Sequence, residues 1–269
     1  MPSAWGAIKP PAGTALAWGH PLTKGLLMCF PFNEGPGMWS SVTGMPHKKS
    51  VVEVGTFPWF SGGAAVRGRP SGRGVRNILA TNKVLIADVA LVPLPVGPCT
   101  VALGYRKTDA TLRDSYAFGV DDVDVITRLN VHLPYVDGVV YFDYGGIGAG
   151  TTRVSVSGLA FGSNFWVFST GPRGMEIWQD GALRASNTAN PTRRNDAGTG
   201  LYIGGMDAIP FTDGDLAEYS YFAMWGRQLS RQDIVALSGE PYSLFAPSAP
   251  YKRGALPAAA ADGSYAFIM

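Results

Sequence analysis

Turn-forming residues recur so closely along this chain that few of the intervals between them can hold more than a short strand. Thirty-five glycines and twenty prolines punctuate its 269 residues. Almost no stretch places apolar residues at the three- and four-residue spacing of an amphipathic helix. From Pro98 onward the breaks separate strand-like runs at 100–106, 115–120, 126–132 and 139–144, then at 153–156, 164–169, 174–179, 182–185, 201–204 and 215–225. Such spacing predicts an all-β, antiparallel sandwich or barrel. With 46% hydrophobic and only 16% charged residues, the chain has ample apolar surface for one core and little of the charge that keeps a chain disordered.

Local signals refine this outline. Residues 25–32, GLLMCFPF, are apolar at both alternations, which predicts a first strand buried on both faces. Asp180-Gly181 lies between two strand-like runs, and such a pair accommodates the positive φ angles of a type I′ hairpin turn. In 215–225 the set Ala217, Tyr219, Tyr221, Ala223 and Trp225 alternates as one continuous apolar face, which places that face in the core. Ser230 and Asp233 open the one convincing helix, the serine capping free N–H groups and the aspartate complementing the helix dipole. That helix ends by Gly239.

The ends read differently. Residues 1–24 carry Pro2, Pro10, Pro11 and Pro21 and form an extended arm, in which Trp5, Leu16 and Trp18 lack local apolar partners. The arm is therefore expected to lie along the body or along another subunit. The sandwich spans 25–245, and the small-residue tail 246–269 has little capacity for a core. Within the body, 36–83 is irregular and glycine-rich, with short strands expected at 50–54 and 64–66 and a basic loop over 67–76.

Residues 1–83 hold nine Lys/Arg and two Asp/Glu, a net +7, whereas the remainder is net −5. A basic first third suits docking onto an acidic neighbour. Trp5, Trp18, Arg67, Arg69, Arg73 and Arg76 are the candidate partner contacts, and direct contact with nucleic acid is not expected. Residues 1–9 show no targeting pattern, and no apolar stretch is long enough to span a bilayer, so a soluble product made in the cytoplasm is expected. Cys29 and Cys99, too few for a disulfide framework, read as buried free thiols.

Four stretches carry a family resemblance: GLLMCFPFNEGPG at 25–37, EIWQDGALRAS at 176–186, GLYIGG at 200–205 and DGDLAEYSYFAMWGRQLSRQDIVAL at 213–237. Together, and in this order, they resemble the laminin G-like domains, which are jelly rolls of the concanavalin A type. The likeness covers about 22–244 and implies an antiparallel two-sheet jelly-roll sandwich. The flanks Lys9-Pro10-Pro11, Gly19-His20-Pro21-Leu22 and Pro241-Tyr242-Ser243-Leu244-Phe245 resemble laminin G-like proteins of tailed bacteriophages. That resemblance implies a virion component: a capsid decoration or head/tail accessory protein, expected to be a homo-oligomer contacting other virion proteins. The fold by itself implies no activity.

The sequence carries no recognisable catalytic pattern. A retaining glycosidase needs two carboxylates about 5 Å apart. Asp213 and Asp215 share a strand face but Glu218 points to the other, and Asp121, Asp122 and Asp124 read as a polar turn. His20, His47 and His132 are scattered, and neither cysteine has a histidine close in sequence. The expected product is not an enzyme. The laminin G-like resemblance implies calcium as a possible ligand, for which Asp207, Asp213 and Asp215 are the candidates. The alternative function is an adhesin for host cell-surface glycans, with a platform drawn from Trp39, Trp59, Phe60, Trp166 and Trp178, most of which should be core.

Overall fold

A computed structural model describes residues 10, 14–32, 59–61, 73–76, 84–88, 94–107, 109–114, 116–120, 125–159, 162–194, 200–204 and 217–245. Their strands are β1 (Leu26–Phe30), β2 (Trp59–Ser61), β3 (Arg73–Arg76), β4 (Val84–Asp88), β5 (Cys99–Lys107), β6 (Phe118–Val120) and β7 (Leu129–His132). The chain continues through β8 (Val140–Tyr144), β9 (Arg153–Val156), β10 (Ser163–Thr170), β11 (Glu176–Gln179), β12 (Ala182–Ser186), β13 (Gly200–Ile203) and β14 (Ala217–Trp225) to helix α1 (Arg231–Gly239). Two antiparallel sheets result. One has eight strands, ordered β12-β11-β10-β5-β14-β3-β2 with β1 also on β14; the other has six, ordered β4-β13-β6-β7-β8-β9.

Alternation builds the core between them. Phe118, Val131, Phe142 and Val154 from the six-stranded sheet meet Leu103, Phe168 and Phe222 from the eight-stranded one. The outer face of the eight-stranded sheet is apolar too. There Ala102, Phe165, Val167 and Trp225 pack beneath Ile234 and Leu237 of α1, together with Leu16, Leu22 and Phe245. Residues 14–24 of the N-terminal arm thus lie along the body: Leu16 bridges Phe245, and the Ala17 N–H donates to the Leu244 carbonyl at 2.9 Å. The first strand feeds both layers, with Met28 and Phe30 inside the sandwich and Leu26 and Cys29 outside it.

Helix α1 starts as its sequence dictates. The Asp233 N–H donates to the Ser230 hydroxyl at 3.0 Å, and the Ser230 N–H to the Asp233 carboxylate at 3.3 Å. This reciprocal capping box satisfies two otherwise orphaned donors. Asp180 and Gly181 take φ values of 50° and 78°, the positive pair of the expected hairpin turn between β11 and β12. Cys29 and Cys99 are free and buried, one in each apolar layer.

Two sequence expectations are corrected. The alternation through 215–225 does not hold, because a bulge between Tyr219 and Tyr221 switches β14 from one face to the other. Ala217, Tyr219, Phe222 and Met224 line the sandwich interior, whereas Tyr221, Ala223 and Trp225 face α1. An extra residue in one strand shifts every later side chain by one place. The second correction is the basic loop 67–76, whose end is strand β3, paired to both β14 and β2. Its glycines conceal it, since backbone pairing along the β14 edge needs no apolar alternation. Strand β4 was not anticipated either. The strands expected at 50–54 and 64–66 lie outside the described residues.

Candidate functional site

Strands β7, β8 and β9 turn one set of side chains into the sandwich, so the alternate set faces out. Register then arranges that outer set in rows. His132 lies opposite Tyr141, Asn130 opposite Asp143, and Asp143 opposite Arg153. The result is a polar and aromatic patch on an otherwise apolar sheet. Loops raise its walls: Asp114 and Tyr116 come from the β5–β6 connection, Tyr135 from the β7–β8 turn and Ile147 from the β8–β9 turn. With Arg128 they enclose a cleft of about 250 Å³.

Four rings form its aromatic side. His132 sits 4.2 Å from Tyr116 and 4.7 Å from Tyr135 between ring centres, and Tyr135 lies edge-on to Tyr141 at 5.9 Å. Tyr116 and His132 are buried, whereas Tyr135 and Tyr141 are half-buried. Val136 and Ile147 stand exposed in the same two turns.

A charged chain underlies the rings. Arg153 donates to Asp143 through Nε at 2.5 Å and Nη2 at 2.6 Å, and its guanidinium carbon lies 4.4 Å from the Tyr141 ring centre. Asp143 is fully buried, and Arg128 approaches it to 3.5 Å from the other side. Such a planar, bidentate pair fixes orientation as well as charge. The hydrogen bond to Asp143 raises the Arg153 pKa further above its ordinary value.

The tyrosine hydroxyls are held by carboxylates. Tyr141 donates to Asp137 at 2.7 Å, and the Val139 N–H donates to the same carboxylate at 2.9 Å. Burial alone raises the Asp137 pKa, but these two hydrogen bonds outweigh it and hold the carboxyl below its usual range. The Tyr141 phenol moves up in return, chiefly because it donates to Asp137. The Tyr135 phenol also moves up, through burial first and then the charge and hydrogen bond of Asp114.

A general acid for glycoside cleavage needs a carboxyl raised toward neutrality. Asp137 is shifted the opposite way, and both Asp143 oxygens are taken by Arg153.

No family model and no curated protein matches this sequence. Solved structures do match its fold. Trypanosoma rangeli sialidase aligns with a TM-score of 0.55 and 14% identity over 88% of this chain and 36% of the sialidase. The same sialidase as a covalent intermediate with 2,3-difluorosialic acid gives 0.54 and 13%, over 80% of this chain and 33% of that one. The binding domain of botulinum neurotoxin DC in complex with rat synaptotagmin II gives 0.53 and 13%, over 80% and 51%. The fold is a concanavalin A-like β-sandwich. This concanavalin A-like chain spans between a third and about half of the lengths of those proteins.

Among the described residues singled out from sequence, Trp18, Trp166 and Trp178 do not line the cleft. Trp18 is 61% exposed on the N-terminal segment. Arg73 and Arg76 begin and end β3. Trp5, Arg67, Arg69, Asp207, Asp213 and Asp215 lie outside the described residues, as does Trp39. Trp166 and Trp178 are buried, and Trp59 and Phe60 belong to β2. Among the described residues no group of three or more metal-ligating side chains gathers, and no helix is long and apolar enough to cross a membrane. The missed signal was Asp137-Gly138, a hairpin turn that sets His132 across from Tyr141.

Proposed function

We propose that this protein is a non-catalytic recognition module that binds a carbohydrate in the Tyr135–Tyr141 cleft. The observation that carries this reading is the pair of half-buried tyrosines, Tyr135 and Tyr141, that line the cleft, with the Tyr141 hydroxyl already committed to Asp137. Rings of this kind stack on the apolar face of a sugar, while nearby carboxylates and phenol oxygens accept from its hydroxyls. A cleft near 250 Å³ suits one terminal sugar ring. Among proteins of the same fold, the sialidase is known in complex with sialic acid and the neurotoxin binding domain in complex with SialylT.

The laminin G-like motifs and the phage-like flanks support a virion setting, in which the chain sits on a capsid or tail and meets the host surface through the cleft. This puts first the adhesin reading that sequence alone ranks second, because the cleft supplies a formed surface that the arms do not. Purified protein should bind a defined glycan, and Tyr135→Ala should weaken that binding about tenfold by removing one stacking ring. Titration calorimetry against hits from a glycan array measures this. Undiminished binding by the variant would move the site elsewhere.

A further inference from the structure

Resting on the reading of the cleft as a sugar site, we infer that its ligand is an uncharged sugar and that it discriminates against acidic ones such as a sialic acid or a uronic acid.

A site for a sugar carboxylate needs a cation whose N–H groups are turned to the ligand. Two guanidiniums line the cleft, and both are ion-paired with Asp143. Arg153 spends Nε and Nη2 on that carboxylate and lays its plane on Tyr141, while Arg128 approaches the same oxygen from the far side. Around them stand three carboxylates: Asp143 beneath the cleft, Asp114 in its wall and Asp137 at the β7–β8 turn. Three carboxylates thus stand against two guanidiniums at the cleft.

The hydrogen-bonding polarity points the same way. Tyr141 donates its proton to Asp137, and the Asp114 carboxylate stands with Tyr135 in the lining of the cleft. The Tyr141 phenol has thus spent its only donor, and what it offers a ligand is lone pairs. The carboxylates likewise only accept. Acceptors in this number are matched by the hydroxyl donors of a neutral sugar, and a ligand carboxylate would meet acceptors and like charge together.

The test uses the full chain and pairs of oligosaccharides that differ only in a cap: neutral glycans ending in galactose, glucose, mannose or N-acetylglucosamine, each beside its sialylated or glucuronate-capped counterpart. The expected result is a neutral binder whose acid-capped counterpart binds about tenfold more weakly at low salt, with the gap narrowing as ionic strength rises. Equal or tighter binding of the acid-capped member overturns the inference while leaving the sugar reading intact. Binding of neither member of any pair overturns both. Asp114→Asn supplies the second measurement, read as the ratio of the two affinities so that any loss common to both cancels. That ratio should shift toward the acidic probe by about threefold, and an unchanged ratio also overturns the inference.

Discussion

Tyr141 is held on its face and at its tip by groups that are themselves held. Arg153 covers the ring, Asp143 anchors Arg153 by two hydrogen bonds, and Asp137 takes the hydroxyl proton. Removing Arg153 therefore acts at two points. Arg153→Leu leaves the fully buried Asp143 carboxylate with Arg128 at 3.5 Å as its cationic neighbour. The expected cost is about 2–4 kcal/mol in urea unfolding, less than for a completely orphaned buried charge because Arg128 remains. Adding Asp143→Asn should recover part of it. A different signature belongs to Asp137. Its hydrogen bond is the leading reason that the Tyr141 phenol is raised, so Asp137→Asn should bring that phenol down toward the ordinary tyrosine value near ~10. Ring-carbon NMR shifts followed through alkaline pH report this, and an unmoved titration would show that burial dominates instead.

At the level of elements, what sequence revealed and what it hid divide by whether the signal was local. The Asp180-Gly181 turn and the Ser230–Asp233 cap announce themselves within four residues, because their chemistry is closed within that span. The bulge in β14 is invisible in the same way that β3 is: each depends on what a strand distant in sequence presents. Read without the bulge, Tyr219 and Tyr221 fall on one face, whereas they belong to different apolar layers. The cleft was half legible. His132, Tyr141 and Asp143 follow from a hairpin at Asp137-Gly138, but Arg153, Asp114 and Tyr116 join them only through the β8–β9 register and the β5–β6 loop. Where β8 ends, Gly145 connects the cleft sheet to its surroundings. Its φ is +73°, its N–H donates to the Arg128 carbonyl at 2.8 Å, and a Cβ there would lie 2.1 Å from the Thr192 carbonyl oxygen. Gly145→Ala should cost about 2 kcal/mol or more, since positive φ and a backbone collision act together. A lowered unfolding midpoint at unchanged m-value is the expected reading.

The described residues are three layers deep, with helix α1 and residues 14–24 on one sheet and the cleft on the outer face of the other. That asymmetry places one thiol in each apolar layer, Cys99 between the sheets and Cys29 under the terminal segments. Burial pushes both thiol pKa values from 9.0 up to about 12. Desolvation is the leading cause in each, partly offset by the Tyr221 hydroxyl at Cys29 and by the charge of Arg193 at Cys99. In the unfolded chain the same thiols ionise near 9, so above that pH the unfolded state loses protons that the folded state keeps. The stability that neutral thiols confer is thus fully present below pH 9 and is lost as pH rises toward 12. Urea midpoints measured across that window should fall steadily, and Cys29→Ala with Cys99→Ala should start lower but fall less steeply. A slope remains in the double variant, because the fully buried Tyr221 and Tyr242 phenols are raised by the same desolvation. Ellman's reagent separates the layers kinetically: opening the terminal segments alone exposes Cys29, whereas Cys99 reacts only when the sheets part. Faster labelling of Cys29 than of Cys99 in the native protein is therefore expected, and equal rates would mean that both layers open in one step.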